Sequence, residues 1–200
     1  MNDSFGIGIT GGIACGKSAV KGILLSWGWT VLDADEIAHE LMEPDRENWK
    51  NIVDVFGKEI LNRDQTINRG VLGERVFGNP DLREKLNQIT HPRIHEVWRS
   101  EQKRFQEQSN SKTFAVVIPL LFEKELESSF EKVIGVGCSE KTERLRLASR
   151  GLTPSQVELR IKSQMPLSEK IKKSDVVIWN EGTLQSLEAQ LRYWSRSISP

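Results

Sequence analysis

Short apolar segments alternate with longer amphipathic segments along the chain. The apolar segments are Phe5–Thr10, Thr30–Leu32, Phe114–Ile118, Val133–Val136 and Val176–Trp179. Continuous apolar runs of this length are typical of strands that are buried on both faces of a parallel sheet. Segments with helical spacing follow them, such as Lys17–Trp27 and Leu184–Trp194. The alternation predicts an α/β fold in which a five-stranded parallel sheet is the middle of three layers.

The predicted strands are unevenly spaced. Between Leu32 and Phe114 only helical patterns occur, at Asn48–Phe56, Val71–Phe77, Leu82–Ile89 and Pro92–Gln106. A second helical stretch, from Lys141 to Ser174, separates the fourth and fifth strands. We therefore expect a core of residues 1–35, 114–138 and 175–200, with one helical insertion over residues 36–113 and another over 139–174.

The link between the first strand and the first helix matches a phosphate-binding loop. It comprises Gly11, Gly12, Ile13, Ala14, Cys15, Gly16, Lys17 and Ser18. Glycines let the backbone turn its N–H groups toward phosphate oxygens, and the following helix adds its positive end. Lys17 would neutralise the terminal phosphates of a nucleotide, and Ser18 would hold Mg²⁺. An accidental glycine-rich turn is the alternative, and Cys15 is expected to shape the loop rather than act as a nucleophile.

A carboxylate, Asp33, stands where the second strand ends and a helix begins. In a parallel sheet this end faces ligands. Asp33 could accept a proton from a substrate hydroxyl or hold Mg²⁺ through water. It could equally be the N-cap of the helix, in a capping box with Glu36. The two interpretations remain open, since one carboxylate can do both.

Composition narrows the function classes. The 28 Lys and Arg residues balance 28 Asp and Glu residues, and the pI is about 6.9, which argues against a general nucleic-acid partner. The longest apolar stretch, Ala115–Phe122, is too short to cross a membrane, and we see no export signal. Cys15 and Cys138 cannot form a disulfide framework or a four-ligand zinc site by themselves. We expect a cytoplasmic protein without a membrane partner.

An ordered set of motifs over nearly the whole chain resembles the dephospho-coenzyme A kinase family. The motifs are Gly-Ile-Thr-Gly-Gly-Ile-x-x-Gly-Lys-Ser from Gly8, Asp33-Ala34-Asp35, Val55-Phe56-Gly57, Asn68-Arg69, Thr90-His91-Pro92, Pro119-Leu120-Leu121-Phe122-Glu123, the Arg-rich stretch to Gln164, and Asp175-Val176-Val177-Ile178 with Asn180. The resemblance implies transfer of phosphate from ATP, with Mg²⁺, to the ribose 3'-hydroxyl of dephospho-coenzyme A, the last step of coenzyme A synthesis. It also implies a nucleotide core, a helical substrate domain over residues 36–113 and a lid over residues 139–174.

The resemblance also assigns residues. It gives the loop from Gly11 to Ser18 to the ATP phosphates and makes Asp33 the base. The residues that it places near the acceptor are Arg69, His91, Pro92, Pro119, Leu120 and Leu121. Two departures stand out. Ala19, which we include among the nucleotide contacts, replaces a Thr that is frequent in the family, and Ala14-Cys15 replaces a Gly-Ser or similar pair.

The predicted lid is cationic. Residues 139–174 contain nine Lys and Arg residues against four Glu residues. Guanidinium groups can bind phosphate oxygens and charge in the transition state. We assign these roles to Arg144, as a catalytic residue, and to Arg150, as a nucleotide contact; a solvated helix face is the alternative. Asn180 could contact the adenine edge, or it could be a turn residue.

Other interpretations remain for several motifs. His91-Pro92 by itself reads as a helix boundary, where His91 would cap or pack. Asp54-Val55-Phe56-Gly57 fits a switch motif of GTP-binding proteins, but Gly57 is better explained as a helix C-cap. At the level of function, the alternatives are a kinase of another small metabolite or nucleoside monophosphate and, less favoured, a nucleotide-dependent switch. We expect a monomer or weak homo-oligomer.

Overall fold

A five-stranded sheet organises the computed structural model, which describes residues 6–77, 79–108 and 113–196. The strands are β1 (Ile7–Gly11), β2 (Thr30–Asp33), β3 (Phe114–Val117), β4 (Lys132–Gly137) and β5 (Val176–Trp179). Their order across the sheet is β2-β3-β1-β4-β5, and all are parallel. The predicted α/β fold with a five-stranded parallel sheet is confirmed. The predicted start of the first strand, Phe5, lies outside the described residues, as do parts of the predicted domains, namely residues 1–4, 78, 109–112 and 197–200.

Nine α-helices connect and cover the strands within the described part of the chain. They are α1 (Lys17–Ser26), α2 (Ala34–Leu41), α3 (Glu47–Phe56), α4 (Arg69–Phe77), α5 (Pro80–Gln108), α6 (Glu140–Ala148), α7 (Pro154–Lys162), α8 (Leu167–Lys173) and α9 (Leu184–Ser195). Two short 3₁₀ helices lie at Lys58–Ile60 and Glu127–Ser129. The predicted helical insertion therefore contains α2 to α5, and the second excursion contains α6 to α8.

Alternation along β4 assigns helices to opposite faces of the sheet. Ile134 and Val136 belong to the apolar cluster that buries the inner faces of α1 and α9. Gly135 and Gly137 alternate with these residues and therefore lie on the opposite face of the sheet. A Cβ built on Gly135 or Gly137 would lie 3.4 or 3.3 Å from Ile171 Cδ1, so this face packs against α8. The sheet is thus covered on both sides, which is the reason that its strands are apolar throughout.

The chain divides into two units. The first contains residues 1–32 and 105–200, that is, the sheet with α1 and α6 to α9. The second contains residues 33–104 and has an apolar cluster of its own, centred on Ile52, Phe56, Ile60, Ile67 and Leu72. The three-part division into core, substrate domain and lid stays a prediction.

Pro92 lies inside a helix and does not mark a helix boundary. The boundary predicted at His91-Pro92 is wrong, because α5 continues from Pro80 to Gln108 with Pro92 in its interior. Pro92 has no N–H to donate to the preceding turn. On either side the helix is anchored by packing: Leu86 and Ile89 join the apolar cluster of the second unit, and Trp98 is buried.

Two smaller expectations are confirmed. Gly57 is the C-cap of α3, with φ at 79°. Asp33 is the N-cap of α2, since its side chain accepts a hydrogen bond from the Asp35 backbone N–H at 3.0 Å.

Among the helices described, none combines the length and the apolar character needed to span a membrane.

Candidate active site

The phosphate-binding loop lies between β1 and α1, at the carboxyl edge of the sheet. The backbone φ is positive at Gly11 (144°), Ala14 (56°) and Gly16 (100°). Gly16 is the N-cap residue of α1, and no side-chain hydrogen bond caps this helix among the described residues. A curled backbone that leads into a helix N-terminus is suited to bind an anion through its N–H groups.

Packing requires glycine at two positions of the loop, Gly12 and Gly16, and at Gly16 the positive φ requires it as well. A Cβ on Gly16 would lie 2.0 Å from Asn180 Nδ2. A Cβ on Gly12 would lie 2.6 Å from Cys15 Sγ and 3.0 Å from Glu143 Oε1. Any larger residue at Gly12 or Gly16 would therefore displace the loop or the groups that hold it.

The Lys17 ammonium group lies against the start of the loop. Its Nζ donates to Gly11 O at 3.1 Å and to Gly12 O at 2.8 Å. These contacts place a positive charge beside the backbone that the sequence predicts to bind phosphate.

Side chains from elsewhere in the first unit hold the middle of the loop. Asn180, which is buried, donates from Nδ2 to Cys15 O at 2.9 Å. Arg146 of α6 donates from Nη1 to Ala14 O at 3.2 Å and from Nη2 to Asn180 O at 3.0 Å. Three backbone carbonyls, two of them in the loop, are thus tied to side chains after β5 and on α6.

An apolar contact accompanies these hydrogen bonds. Ala14 packs with Leu147 of α6 and Val157 of α7 in a small buried cluster. The helices of residues 139–174 therefore contact the phosphate-binding loop through both polar and apolar groups.

The sequence-based prediction falls on Arg144 and Arg150 and misses Arg146, which lies in the same basic stretch. Helical spacing offered a signal, since the buried residues of α6 are Glu143 and Leu147 and Arg146 lies beside them on the helix. Arg144 points to other partners: its guanidinium group pairs with Glu140 Oε1 at 2.8 Å and with Glu158 Oε2 at 2.8 Å. Arg150 is exposed. The roles predicted for Arg144 and Arg150 stay predictions.

Burial disfavours the charged forms of the titratable groups beside the loop. Burial, with a smaller contribution from the neighbouring Cys138, raises the pKa of the Cys15 thiol to about 12. The Cys138 thiol lies 3.4 Å from Cys15, Sγ to Sγ. Burial also raises the pKa of Glu143, against the attraction of Arg144 and Lys17. The Cys15 thiol therefore remains protonated near neutral pH, as expected of a residue that shapes the loop.

A second carboxylate, Glu181, anchors the start of α6. It accepts hydrogen bonds from the Ser139 backbone N–H and hydroxyl, each at 2.7 Å, and from the Thr142 hydroxyl. These hydrogen bonds lower the pKa of Glu181 to about 2. Glu181 follows Asn180 directly, so one short segment after β5 holds both the loop and α6.

Asp33 is the last residue of β2. The strand is parallel to its neighbours, so its carboxyl end, like that of β1, lies at the ligand-facing edge of the sheet. Asp33 itself belongs to the second unit. Its N-cap hydrogen bond uses Oδ1.

The predicted acceptor residues fall in both units. Arg69 begins α4 and is exposed, while His91 and Pro92 lie within α5; all three belong to the second unit. Residues 119–121, here called the Pro119 turn, follow β3 in the first unit. The Leu121 side chain is fully buried, and a Cβ on Gly8 would lie 2.8 Å from its Cδ1. Only Pro119 and Leu120 of this turn are partly exposed.

The parallel sheet and the strand–loop–helix unit with basic groups around its loop place the chain in the class of P-loop α/β proteins. The sequence profile of the dephospho-CoA kinase family matches residues 5–186. The chain therefore belongs to the dephospho-CoA kinase family.

Individual relatives agree with this assignment. A dephospho-CoA kinase of Bdellovibrio bacteriovorus is 40% identical over 181 residues, which are 90% of each chain. Among solved structures, the TT1252 protein of Thermus thermophilus is 31% identical with a TM-score of 0.80, covering 98% of this chain and 99% of that one. The dephospho-CoA kinase of Campylobacter jejuni is 30% identical with a TM-score of 0.71, covering 100% of this chain and 98% of that one.

Proposed function

We propose that this chain transfers the terminal phosphoryl group of ATP to the ribose 3'-hydroxyl of dephospho-coenzyme A, using the residues assigned below. Family membership gives the activity, that of a dephospho-CoA kinase in the final step of coenzyme A biosynthesis. The family also implies ATP as the phosphoryl donor. The observation that supports the site best is the conformation of the loop from Gly11 to Ser18, which has positive φ angles and leads into a helix N-terminus that no side chain of the described residues caps.

On the donor side, the loop amides and Lys17 bind the phosphates of ATP. Lys17 Nζ now donates to two neutral carbonyl oxygens of the loop. Charged phosphate oxygens are stronger acceptors than carbonyls, so the ammonium group would exchange its carbonyl partners for phosphate. The loop contacts are Gly11, Gly12, Ile13, Ala14, Cys15, Gly16, Lys17, Ser18 and Ala19.

Ser18 is the residue that would hold Mg²⁺. It is exposed in the first turn of α1 and offers a hydroxyl oxygen. No cluster of three or more His, Cys, Asp or Glu residues suited to a metal occurs in the described part of the chain. A single protein ligand nevertheless fits Mg²⁺, which takes one or two protein oxygens and fills its shell with phosphate oxygens and water. Bound there, the ion would neutralise charge on the phosphates during transfer.

Asp33 is the proposed base. Its position at the end of β2 suits a group that accepts the proton of the attacking 3'-hydroxyl. The N-cap hydrogen bond from the Asp35 backbone N–H to Oδ1 orients the carboxylate at this position.

The arginines of the predicted lid (residues 139–174) complete the donor side. Arg144 and Arg150 would spread the charge that develops on the transferred group. Arg144 would first leave Glu140 and Glu158, with which it forms exposed ion pairs; such pairs contribute little and are readily exchanged. Arg146 is already at the loop and would contact the phosphates with little rearrangement.

On the acceptor side, we propose contacts with dephospho-coenzyme A from Arg69, His91, Pro92 and the Pro119 turn. The turn follows β3, which neighbours β1 in the sheet, and this supports a place for it beside the phosphate-binding loop.

We further propose that Asn180 supports the nucleotide site by holding Cys15 O rather than by contacting adenine. We also propose a monomer or weak homo-oligomer in the cytoplasm, with no nucleic-acid or membrane partner. The balanced charge supports the absence of a nucleic-acid partner, and the two free cysteines support a reducing compartment.

An acceptor panel tests the proposed reaction. ADP release is measured with ATP and Mg²⁺ alone, and then with dephospho-coenzyme A, adenosine, nucleoside monophosphates and shikimate as acceptors. We expect stimulation by dephospho-coenzyme A, and its loss in Lys17→Ala. If another acceptor stimulates ADP release at a protein concentration where dephospho-coenzyme A does not, the proposed function is wrong.

A further inference from the structure

A single backbone carbonyl, that of Pro119, connects three elements of the first unit. It accepts a hydrogen bond from Thr10 Oγ1 at 3.2 Å and another from Lys170 Nζ at 2.6 Å. Thr10 lies on β1 directly before the phosphate-binding loop, and Lys170 lies on α8. Thr10 and Lys170 are both completely buried. The start of the loop, the Pro119 turn and the last helix of the predicted lid therefore meet at this oxygen.

The buried charge of Lys170 has a carboxylate partner in the same segment. Its Nζ lies 2.8 Å from Glu123 Oε1, and that oxygen also accepts a hydrogen bond from the Met165 backbone N–H at 2.9 Å. Glu123 thus joins the segment after the Pro119 turn both to α8 and to the link that precedes α8. An ammonium group in the protein interior requires such a partner to remain charged.

Stability alone is a poor explanation for this pair. Removing two charges from water costs about as much as their attraction returns, and apolar replacements are often equally stable. The second oxygen, Glu123 Oε2, is buried with no hydrogen-bond partner in the described part of the chain, which adds a further cost. The pair instead fixes local geometry. The Lys170 ammonium group contacts both Pro119 O and Glu123 Oε1 and so holds these two acceptors at defined positions.

We infer that Lys170 and Glu123 are positioning residues, which fix the Pro119 turn against the start of the phosphate-binding loop and thereby set where the acceptor lies relative to ATP. The inference rests on the proposed role of the Pro119 turn in acceptor binding. It assigns no contact with either substrate to Lys170 or Glu123. Loss of the pair should therefore impair binding and reaction of dephospho-coenzyme A and leave ATP binding largely unchanged.

The test compares Lys170→Met with Lys172→Met on the same helix. Lys172 is exposed and pairs only with Glu169 in the described part of the chain, at 2.9 Å. For Lys170→Met we expect kcat/KM for dephospho-coenzyme A to fall about tenfold or more, since displacements of about 1 Å can cost this much. The KM for ATP should change less than about twofold, and Lys170→Arg should recover part of the loss. Lys172→Met should behave as the wild type.

A second variant keeps the test decisive if Lys170→Met does not fold. Thr10→Val keeps the β-branched shape and the buried charge pair, and removes only the other hydrogen bond to Pro119 O. We expect a smaller loss in the same direction, with the melting temperature recorded for every variant. Equal changes for both substrates, or no change in a folded variant, would overturn the inference. A wild-type protein that is not stimulated by dephospho-coenzyme A would instead contradict the proposed function.

Discussion

Two loops at the carboxyl edge of the sheet are each held by a cation from residues 139–174, but the cations have different partners. At the phosphate-binding loop, Arg146 is half-buried and donates to two neutral carbonyl oxygens. At the Pro119 turn, Lys170 is 0% exposed and is bound to a carboxylate as well as a carbonyl. Arg146 therefore holds the phosphate-binding loop through neutral acceptors that an anion could replace, whereas Lys170 holds the Pro119 turn through a buried ion pair.

The difference has a physical reason. A guanidinium group bound to neutral oxygens gains when a phosphate replaces them, because charge-assisted hydrogen bonds are stronger. A buried ammonium group paired with a carboxylate has no such gain, and breaking the pair would leave a charge uncompensated in the interior. We therefore expect variants at the phosphate-binding loop to alter ATP kinetics and variants at the Pro119 turn to alter acceptor kinetics.

Lys17→Ala should give the largest effect. The proposed role of the Lys17 ammonium group is to stabilise charge on the transferred phosphoryl group, so we expect kcat/KM for ATP to fall on the order of a thousandfold when it is removed. Steady-state ADP release measures this, with thermal unfolding as the control for folding. A variant within a few fold of the wild type would remove Lys17 from the donor side.

Asp33→Asn separates the chemical step from the binding of either substrate. Asn is also a good N-cap, so α2 should remain intact, while turnover should fall about a hundredfold as expected for a positioned base. ATP affinity, measured by calorimetry, should be nearly unchanged. Asp35→Asn, in the first turn of α2, is the matched control. Near-normal turnover of Asp33→Asn would reduce Asp33 to a helix cap.

Arg146→Ala tests the contacts that hold the phosphate-binding loop through neutral carbonyl oxygens. We expect the KM for ATP to rise about tenfold with a smaller change in kcat, because binding contacts are lost. Replacing Arg144 and Arg150 together by Ala should instead lower kcat about tenfold with a smaller change in the KM for ATP, as expected for groups that act mainly in the transition state. If Arg146→Ala lowered mainly kcat and the double variant raised mainly the KM for ATP, Arg146 would be the group that acts in the transition state, and Arg144 and Arg150 would be the ATP-binding groups.

Alkylation of the cysteines should have the smallest effect. With a pKa of about 12 for Cys15, roughly one thiol in ten thousand is ionised at pH 8, and Cys138 is also buried with a raised pKa. Iodoacetamide should leave the native mass unchanged within an hour and add two groups in urea. Rapid single labelling of the native protein would contradict the burial of this loop.

The sequence predicted those parts of the fold that depend on local patterns. All five strands, the loop of Gly11 to Ser18 and the cap at Asp33 follow from runs and spacings within a few residues. Sheet order, with β3 between β2 and β1, was not predicted, because it depends on contacts between distant segments.

The side-chain contacts of the site were predicted less well for the same reason. In the sequence, nothing distinguishes Arg144, Arg146 and Arg150, because all three lie in one basic stretch. In the fold, Leu147 packs with Ala14, and this contact brings the neighbouring Arg146 to the loop. Lys170 was counted as one more lid cation, although it is buried with Glu123, which is distant in sequence. At Pro92 the prediction relied on local sequence and was wrong. Proline usually marks a helix boundary, but the packing of α5 keeps Pro92 in the interior of that helix.

The most direct test of the proposed reaction compares dephospho-coenzyme A with its 3'-deoxy analogue, following ADP release and product mass in one experiment. We predict that ADP release with dephospho-coenzyme A is matched by a product that is heavier by one phosphoryl group, and that the analogue gives neither. A phosphorylated 3'-deoxy product, or equal ADP release with both compounds and no coenzyme A, would contradict transfer to the 3'-hydroxyl.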